Sequence, residues 1–372
     1  MIPLGRPSIT SEDLEAVTAA LTSGRLTQGT QVAAFEAELA ELVGVDHAVV
    51  VTSGTAALAV SLAALGVGRG DRVIVPAYSW VATANVVELA GATPVFVDID
   101  PDTFAIDPIH LATVMGRLAG REQLDSVRAI LPVHVFGYVA EMEEIVAIAD
   151  SAGIPVVEDA ACALGASLSG RPAGSIGAAG CFSFHPLKVV TTGEGGAITT
   201  DDADFAEFAR TYRNHGQSFA GGKRTFEMAG PNLRMTDFQA ALGRSQLARL
   251  DSMLDERHDL FERYHVLLSG LPLRYQSYDR SRTTGQVFTI LLNQPELRPD
   301  VLMLLGDFGI EAATGTIAMP FARHFRLRYH HSEADLPVTA AVDRSAVSLP
   351  LYNGMTHQEQ DLVVMALDKA LD

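Results

Sequence analysis

A chain of 372 residues, 48% hydrophobic and 19% charged, is neither disordered nor collagenous, and it is too long for one compact core. Its formal charge of −18, from 27 Lys and Arg against 45 Asp and Glu, repels nucleic acid over most of the surface while leaving room for a local basic pocket. Two cysteines, Cys162 and Cys181, make neither a disulfide framework nor a zinc spacing, and no stretch reads as a signal peptide or a membrane span, so a soluble, cytoplasmic, metal-free protein is expected.

Along the chain, short β-branched runs alternate with helical spacing. "HAVVVT", "RVIVPA", "PVFVDI", "RAILPVH", "IPVVEDA" and "GCFSF" read as strands; "TAALAVSLAAL" and "EMEEIVAIADSAG" between them read as helices, the second closed by a glycine. Apolar strands alternating with helices predict a mostly parallel sheet covered on both faces, with ligands gathering at the carboxyl ends of its strands. The pattern changes after "RMTDFQAALGRSQLARLDSMLDERHDLFERYHVLLSG", which reads as long helical material. Strands at "LPLRYQS" and "QVFTILL", a helix near "RPDVLMLLGDFG" and a last helix "HQEQDLVVMALDKAL" follow it. The expected division is a large α/β domain over residues 1–250 and a smaller α+β domain over 251–372.

Four positions carry chemistry, in the same order. In "VVVTSGTAALAV" a strand ends at Thr52 and a helix begins; Gly54 permits close backbone approach, and the helix-start amides with the Thr55 hydroxyl suit a phosphate, although helix capping by Ser53 or Thr55 explains the same residues. Glu158 and Asp159 end an apolar strand, where a carboxylate needs a partner: an arginine, a helix start, or a protonated ring nitrogen facing Asp159. Ser183 closes "GCFSF", where its hydroxyl is able to share a phosphate with Thr55. Lys188 lies in the uncharged run "SFHPLKVVTTG", either as an ordinary loop lysine or as a desolvated amine fit for nucleophilic and proton-carrying work.

Together "TSGTAAL", "PAYSWVATANVV", "VVEDAACALGA", "SFHPLKVVTTGEGG" and "NLRMTDFQAALGRSQL" resemble the DegT/DnrJ/EryC1/StrS sugar aminotransferases, over nearly the whole chain. The resemblance implies the fold type I of transferases dependent on pyridoxal 5′-phosphate (PLP), with pyridoxamine 5′-phosphate as the form between half-reactions. It implies that Lys188 is the Schiff-base lysine and that Asp159 faces the pyridine nitrogen. Gly54, Thr55 and Ser183 fall where the family binds phosphate, and Trp80 where an aromatic ring stacks on the cofactor. Asn232 matches an asparagine reaching the phosphate of a neighbouring subunit, so a homodimer with composite sites is implied. His185 and His215 match positions near the substrate, the latter within "RNHGQ" beside Arg213 and Asn214. Two residues depart from the pattern. Cys162 stands where glutamine or histidine is frequent, a weaker hydrogen-bond partner for the cofactor's phenolic oxygen, and Leu233 stands where an aromatic is frequent.

The activity so implied is transfer of an amino group from L-glutamate to a nucleotide-linked keto-sugar. His185 and Glu194 in the lysine segment look more like members that aminate C4 of dTDP- or UDP-4-keto-6-deoxy sugars than those acting at C3. A cyclitol aminotransferase and a PLP-binding regulator are the alternatives; Lys188 argues against the family's dehydratases, which carry histidine there. Arg6, Arg25 and Arg234 are candidates for the donor carboxylate on side-chain chemistry alone.

Overall fold

The computed structural model describes residues 1–220 and 222–371, and its central element is a sheet whose seven strands are β1 (His47–Val51), β2 (Arg72–Pro76), β3 (Thr93–Val97), β4 (Val127–Ile130), β5 (Val157–Asp159), β6 (Ala179–Ser183) and β7 (Gly196–Thr200). Their spatial order is β1-β7-β6-β5-β4-β2-β3, with β4 and β5 joined through the bridge Ile130↔Val156. Only β7 runs antiparallel to its neighbours. Six of the strands were legible as apolar runs. β7, "GAITT", was not, because its run opens directly out of the glycine turn and holds a single large apolar residue, Ile198.

Alternation along each strand feeds two cores. Ala48 and Val50 point into one cluster with α2 (Thr30–Val43), whereas Val49 and Val51 point into the other with α3 (Gly54–Ala64). α4 (Ala82–Leu89) and α7 (Ala203–Tyr212) join the α3 face; α5 (Pro108–Gly120) and α6 (Met142–Asp150) join the α2 face. At roughly 1.5–3 kcal/mol per buried aliphatic side chain, this two-sided burial is the main force holding the sheet.

The long helical stretch is two helices, α8 (Asp237–Leu247) and α9 (Leu250–Leu267). The break falls at Arg249, whose guanidinium leaves the helical line to donate to Asp13 Oδ2 at 2.8 Å and to the Ser8 carbonyl at 2.5 Å. Asp13 is fully buried on α1 (Ser11–Thr22), so the kink supplies the cation that a buried carboxylate requires.

Beyond α9, strands β8 (Leu273–Tyr275), β9 (Phe288–Leu292) and β10 (Ala346–Leu349) form an antiparallel sheet around a further core that includes Phe261, Tyr264, Phe288 and Val363. Two segments cross the division expected at residue 250. Ile2 enters this core, donating its amide to Gly309 O at 2.8 Å. Conversely, Ile317–Ala318 pair with Tyr78–Ser79, and Met319, Phe325 and Leu336 pack on the α3 face of the central sheet. Among the described residues, no helix is long and apolar enough to cross a membrane.

Candidate active site

The carboxyl ends of β1, β5 and β6 share one edge of the sheet, which brings together the Ser53–Thr55 turn, Asp159 and Ser183. Ser53 caps α3 by accepting from Ala56 N at 3.1 Å. Capping by Ser53 and a phosphate site are therefore compatible readings: the cap takes one amide, and the Gly54 and Thr55 amides have no carbonyl of their own helix to meet. Thr55 is exposed. A Cβ on Gly54 would lie 2.8 Å from Ser183 Cβ, and one on Gly196 would lie 2.4 Å from the Ser53 carbonyl group. Both glycines are dictated by close approach: β6 and β7 press against the turn, so the Gly54 amide, Thr55 and the Ser183 hydroxyl border one small cradle.

The two carboxylates at the end of β5 have opposite fates. Glu158 is buried on the face away from the cradle. It accepts from Gly174 N at 2.9 Å, Ile176 N at 2.7 Å, Gly177 N at 2.8 Å and His134 Nε2 at 3.0 Å. The Ala140 amide donates to His134 Nδ1, which leaves Nε2 as the donor to Glu158. Burial would raise the Glu158 pKa, but the His134 hydrogen bond and the Gly177 and Gly174 amides outweigh it and hold the carboxyl below its ordinary range. Glu158→Gln is expected to cost roughly 3 kcal/mol of stability, read as a lower Tm, without altering PLP uptake. The sign with pH follows: Glu158 stabilises the fold above its unfolded pKa, and that contribution fades as pH falls through the depressed folded value.

Among the described residues, Asp159, 5% exposed, receives only the Thr83 hydroxyl on Oδ2 at 2.8 Å and the Ala161 amide on Oδ1 at 3.3 Å. Burial pushes its pKa up, and the Thr83 and Ala161 hydrogen bonds and the charge of Lys188 pull it back only in part. A carboxylate so placed lacks a contacting cation. Thr83, itself buried and 3.1 Å from Ser79 Oγ, is a functional candidate that sequence reasoning missed. Nothing in the spacing links residue 83 to residue 159; the parallel packing of β2 and β5 around β4 does.

Lys188 follows β6 in a turn closed by its own amide on the His185 carbonyl at 2.8 Å. Its Nζ meets Cys162 Sγ at 2.8 Å, and no ion pair reaches it among the described residues. The residue expected to touch the cofactor's phenolic oxygen is thus the one beside the amine. Trp80 is 65% exposed, so its ring is not part of the core. His185 is half-buried; His215 and Asn232 are exposed, with Asn232 bridged to Asn214 on an adjoining strand-like segment. Arg213 is buried instead at the α2–β1 junction, bonded to Glu36 at 2.5 Å and to the Val50 carbonyl. Arg234 is engaged with Asn214 Oδ1 at 2.6 Å, and Arg6 stacks over Tyr352 at 5.1 Å. Arg25 is exposed at the start of the connection to α2.

These residues suit PLP: a cradle that a Cβ would fill and, among the described residues, a buried carboxylate without a contacting cation and an amine without a contacting acid. The sequence profile of the DegT/DnrJ/EryC1/StrS aminotransferase family matches residues 7–368. GDP-perosamine synthase of Caulobacter vibrioides is 37% identical over 91% of this chain and 89% of its own. The spore coat polysaccharide biosynthesis protein SpsC of Bacillus subtilis is 36% identical over 98% and 96% respectively. Helicobacter pylori PseC, an aminotransferase involved in the biosynthesis of pseudoaminic acid, superimposes with a TM-score of 0.91 at 26% identity over 100% of this chain and 99% of its own.

Proposed function

This chain belongs to the DegT/DnrJ/EryC1/StrS aminotransferase family of PLP-dependent sugar aminotransferases, and from that premise we propose that it moves the amino group of L-glutamate to C4 of a 4-keto-6-deoxyhexose carried on a nucleoside diphosphate. The observation that carries the residue assignment is the uncompensated pair at the sheet edge: Lys188 Nζ against a thiol, and Asp159 ionisable in a buried site with no contacting cation.

In this reading PLP supplies the electron sink, and the protein supplies everything that orients and protonates. The Gly54 and Thr55 amides and the hydroxyls of Thr55 and Ser183 hold the phosphate at the start of α3. Asp159, kept in place by Thr83, would face the ring nitrogen and favour its protonated state. Trp80 offers an exposed ring for stacking, and Cys162 would be the residue offered to the phenolic oxygen. Lys188 Nζ takes the proton from the donor's Cα and, in the second half-reaction, returns one to the acceptor carbon. His185 and His215 are the residues read as bordering the sugar.

Asn232 is read as reaching the phosphate of a partner's site in a homodimer, supported by its exposure and by backbone bonds that fix its neighbours: His215 N to Pro231 O at 2.9 Å and Leu233 N to Arg213 O at 2.8 Å. A cytoplasmic setting, where thiols stay reduced, fits the unpaired Cys162 and Cys181.

The preference for C4 rests on His185 and Glu194. The Caulobacter relative's name carries a GDP-sugar, so GDP joins dTDP and UDP as a carrier to test. Incubating the PLP-loaded protein with L-glutamate and a panel of keto-sugar nucleotides, with products read by mass spectrometry and NMR, is expected to give a 4-amino sugar nucleotide. An amine at C3, or turnover confined to keto-cyclitols, would overturn the substrate assignment.

A further inference from the structure

The segment 282–286, just before β9, lies across the sheet edge and is gripped from both sides. From the α9 side, Arg257 donates to the carbonyls of Gly285 at 3.2 Å and Gln286 at 3.4 Å, while its Nε holds Asn353 Oδ1 at 2.8 Å. His258 Nε2 is bonded to the Thr283 carbonyl at 2.7 Å. On the site side, Thr284 Oγ1 donates to the Cys162 carbonyl at 2.8 Å, and Thr284 N to Gly137 O at 3.2 Å. The Gln286 carboxamide donates through Nε2 to the carbonyl of Leu187, the residue directly before Lys188. The two backbone positions flanking the Lys188–Cys162 contact are therefore both tied to this one segment.

After Lys188 the turn is anchored by Val189 and Val190, buried in the core on the α2 face, and by the Thr191 amide on Gln246 Oε1 at 3.3 Å; before it, at Leu187, the tether from outside the turn is Gln286. Leu187 is 45% exposed, and the turn is closed by the Lys188 amide on His185. The Gln286 Oε1 atom is buried and has no partner among the described residues. Flipping the carboxamide would set that oxygen against the Leu187 carbonyl oxygen, two acceptors facing each other, so the contact with Leu187 fixes Nε2 as the end that faces it. The backbone beneath Gln286 is set by a buried guanidinium, which makes the tether a rigid link between the core around α9 and the lysine turn.

We propose that Gln286 is a positioning residue for Lys188, with Thr284 as its counterpart on Cys162. The proposal rests on the reading of Lys188 as the catalytic amine. A lysine has a flexible four-carbon stem, so its amine is placed only as well as its backbone. A displacement on the order of 1 Å is enough to lose much of the rate of a proton transfer.

Gln286→Met keeps length and volume and removes the donor. We expect kcat to fall on the order of tenfold, the worth of about one hydrogen bond, with KM for glutamate within about twofold of wild type. In the PLP-free protein, amide hydrogen exchange of the peptide covering residues 185–190 should quicken while distant peptides keep their rates. Gln286→Glu, with a carboxylate facing the Leu187 carbonyl, should be at least as slow. Wild-type kcat with unchanged exchange at 185–190 would overturn the proposal, and so would exchange raised uniformly over the chain, which marks a general stability role. Lys188→Ala run in parallel separates the two readings. If it still turns over, the assignment of Lys188 fails and this inference with it. If it is inactive while Gln286→Met behaves as wild type, only the inference fails.

Discussion

Lys188→Ala is expected to lower glutamate-dependent amination by on the order of 10³-fold or more and to remove the visible absorbance that the lysine forms with bound PLP. The size follows from the amine's double duty, since the same nitrogen is both the covalent anchor and the proton carrier of each half-reaction. The fold should survive. The amine's hydrogen bond is to the Cys162 sulfur, and the side chain holds no ion pair among the described residues; its charge acts on the buried Asp159 without contact, so its removal breaks one hydrogen bond and leaves Asp159 the Thr83 and Ala161 bonds it already has. The checks are a coupled assay for 2-oxoglutarate and a visible spectrum, alongside a Tm close to wild type. Turnover at the wild-type rate in this variant would place the chemistry on another residue.

Asp159→Asn is the second large effect, with an expected loss on the order of 10²–10³-fold in kcat, comparable to removing one preorganised electrostatic partner. Asparagine keeps the shape and an oxygen for the Thr83 hydroxyl, so what is lost is the charge facing the ring nitrogen. The same substitution has a stability signature of opposite sign in the PLP-free protein. Burial raises the folded pKa of Asp159 above its unfolded value. Between those two values the native state holds the proton more tightly than the unfolded chain, so stability falls as pH rises from about 4 and levels off above the folded value. The PLP-free Asp159→Asn protein lacks that slope and should therefore be the more stable of the two near neutral pH, with the difference vanishing in acid. Paired melting curves of the two proteins across that range test it, because the contributions of Glu158 and other groups cancel in the comparison. Equal pH slopes would mean that Asp159 does not titrate in a desolvated site.

Much of the site was legible because its residues sit where chain punctuation is strong. Gly54, Asp159 and Ser183 each follow an apolar run, and the rule that ligands collect at strand carboxyl ends joins them without coordinates. Lys188 stood out for the opposite reason, as a charge with no charged neighbours. What escaped were residues whose role depends on packing between distant segments. Thr83 lies in a turn-and-helix sequence with no signal of its own, yet its hydroxyl is the strongest bond to Asp159. Gln286 belongs to a stretch that reads as the start of a strand. The same holds for β7 and β10, runs without a strong signal of their own that pair because neighbouring strands present them an edge.

The sequence by itself determined the alternation of buried strands and helices, the order of the chemical groups and the family to which they belong, because periodicity, glycine placement and charge isolation are local and act before any tertiary contact forms. Only the tertiary structure decided which of two adjacent carboxylates turns towards the cradle. Glu158 and Asp159 differ by one residue on a strand, so the pleat sends them to opposite faces, and the supply of amides and His134 on one face and their scarcity on the other sets one as a structural anion and leaves the other open to a cation. It also decided that segments cross between the two parts, Ile2 joining the core around α9 and Met319 the central sheet, since hydrophobic burial rewards area removed from water and takes no account of where along the chain that area lies.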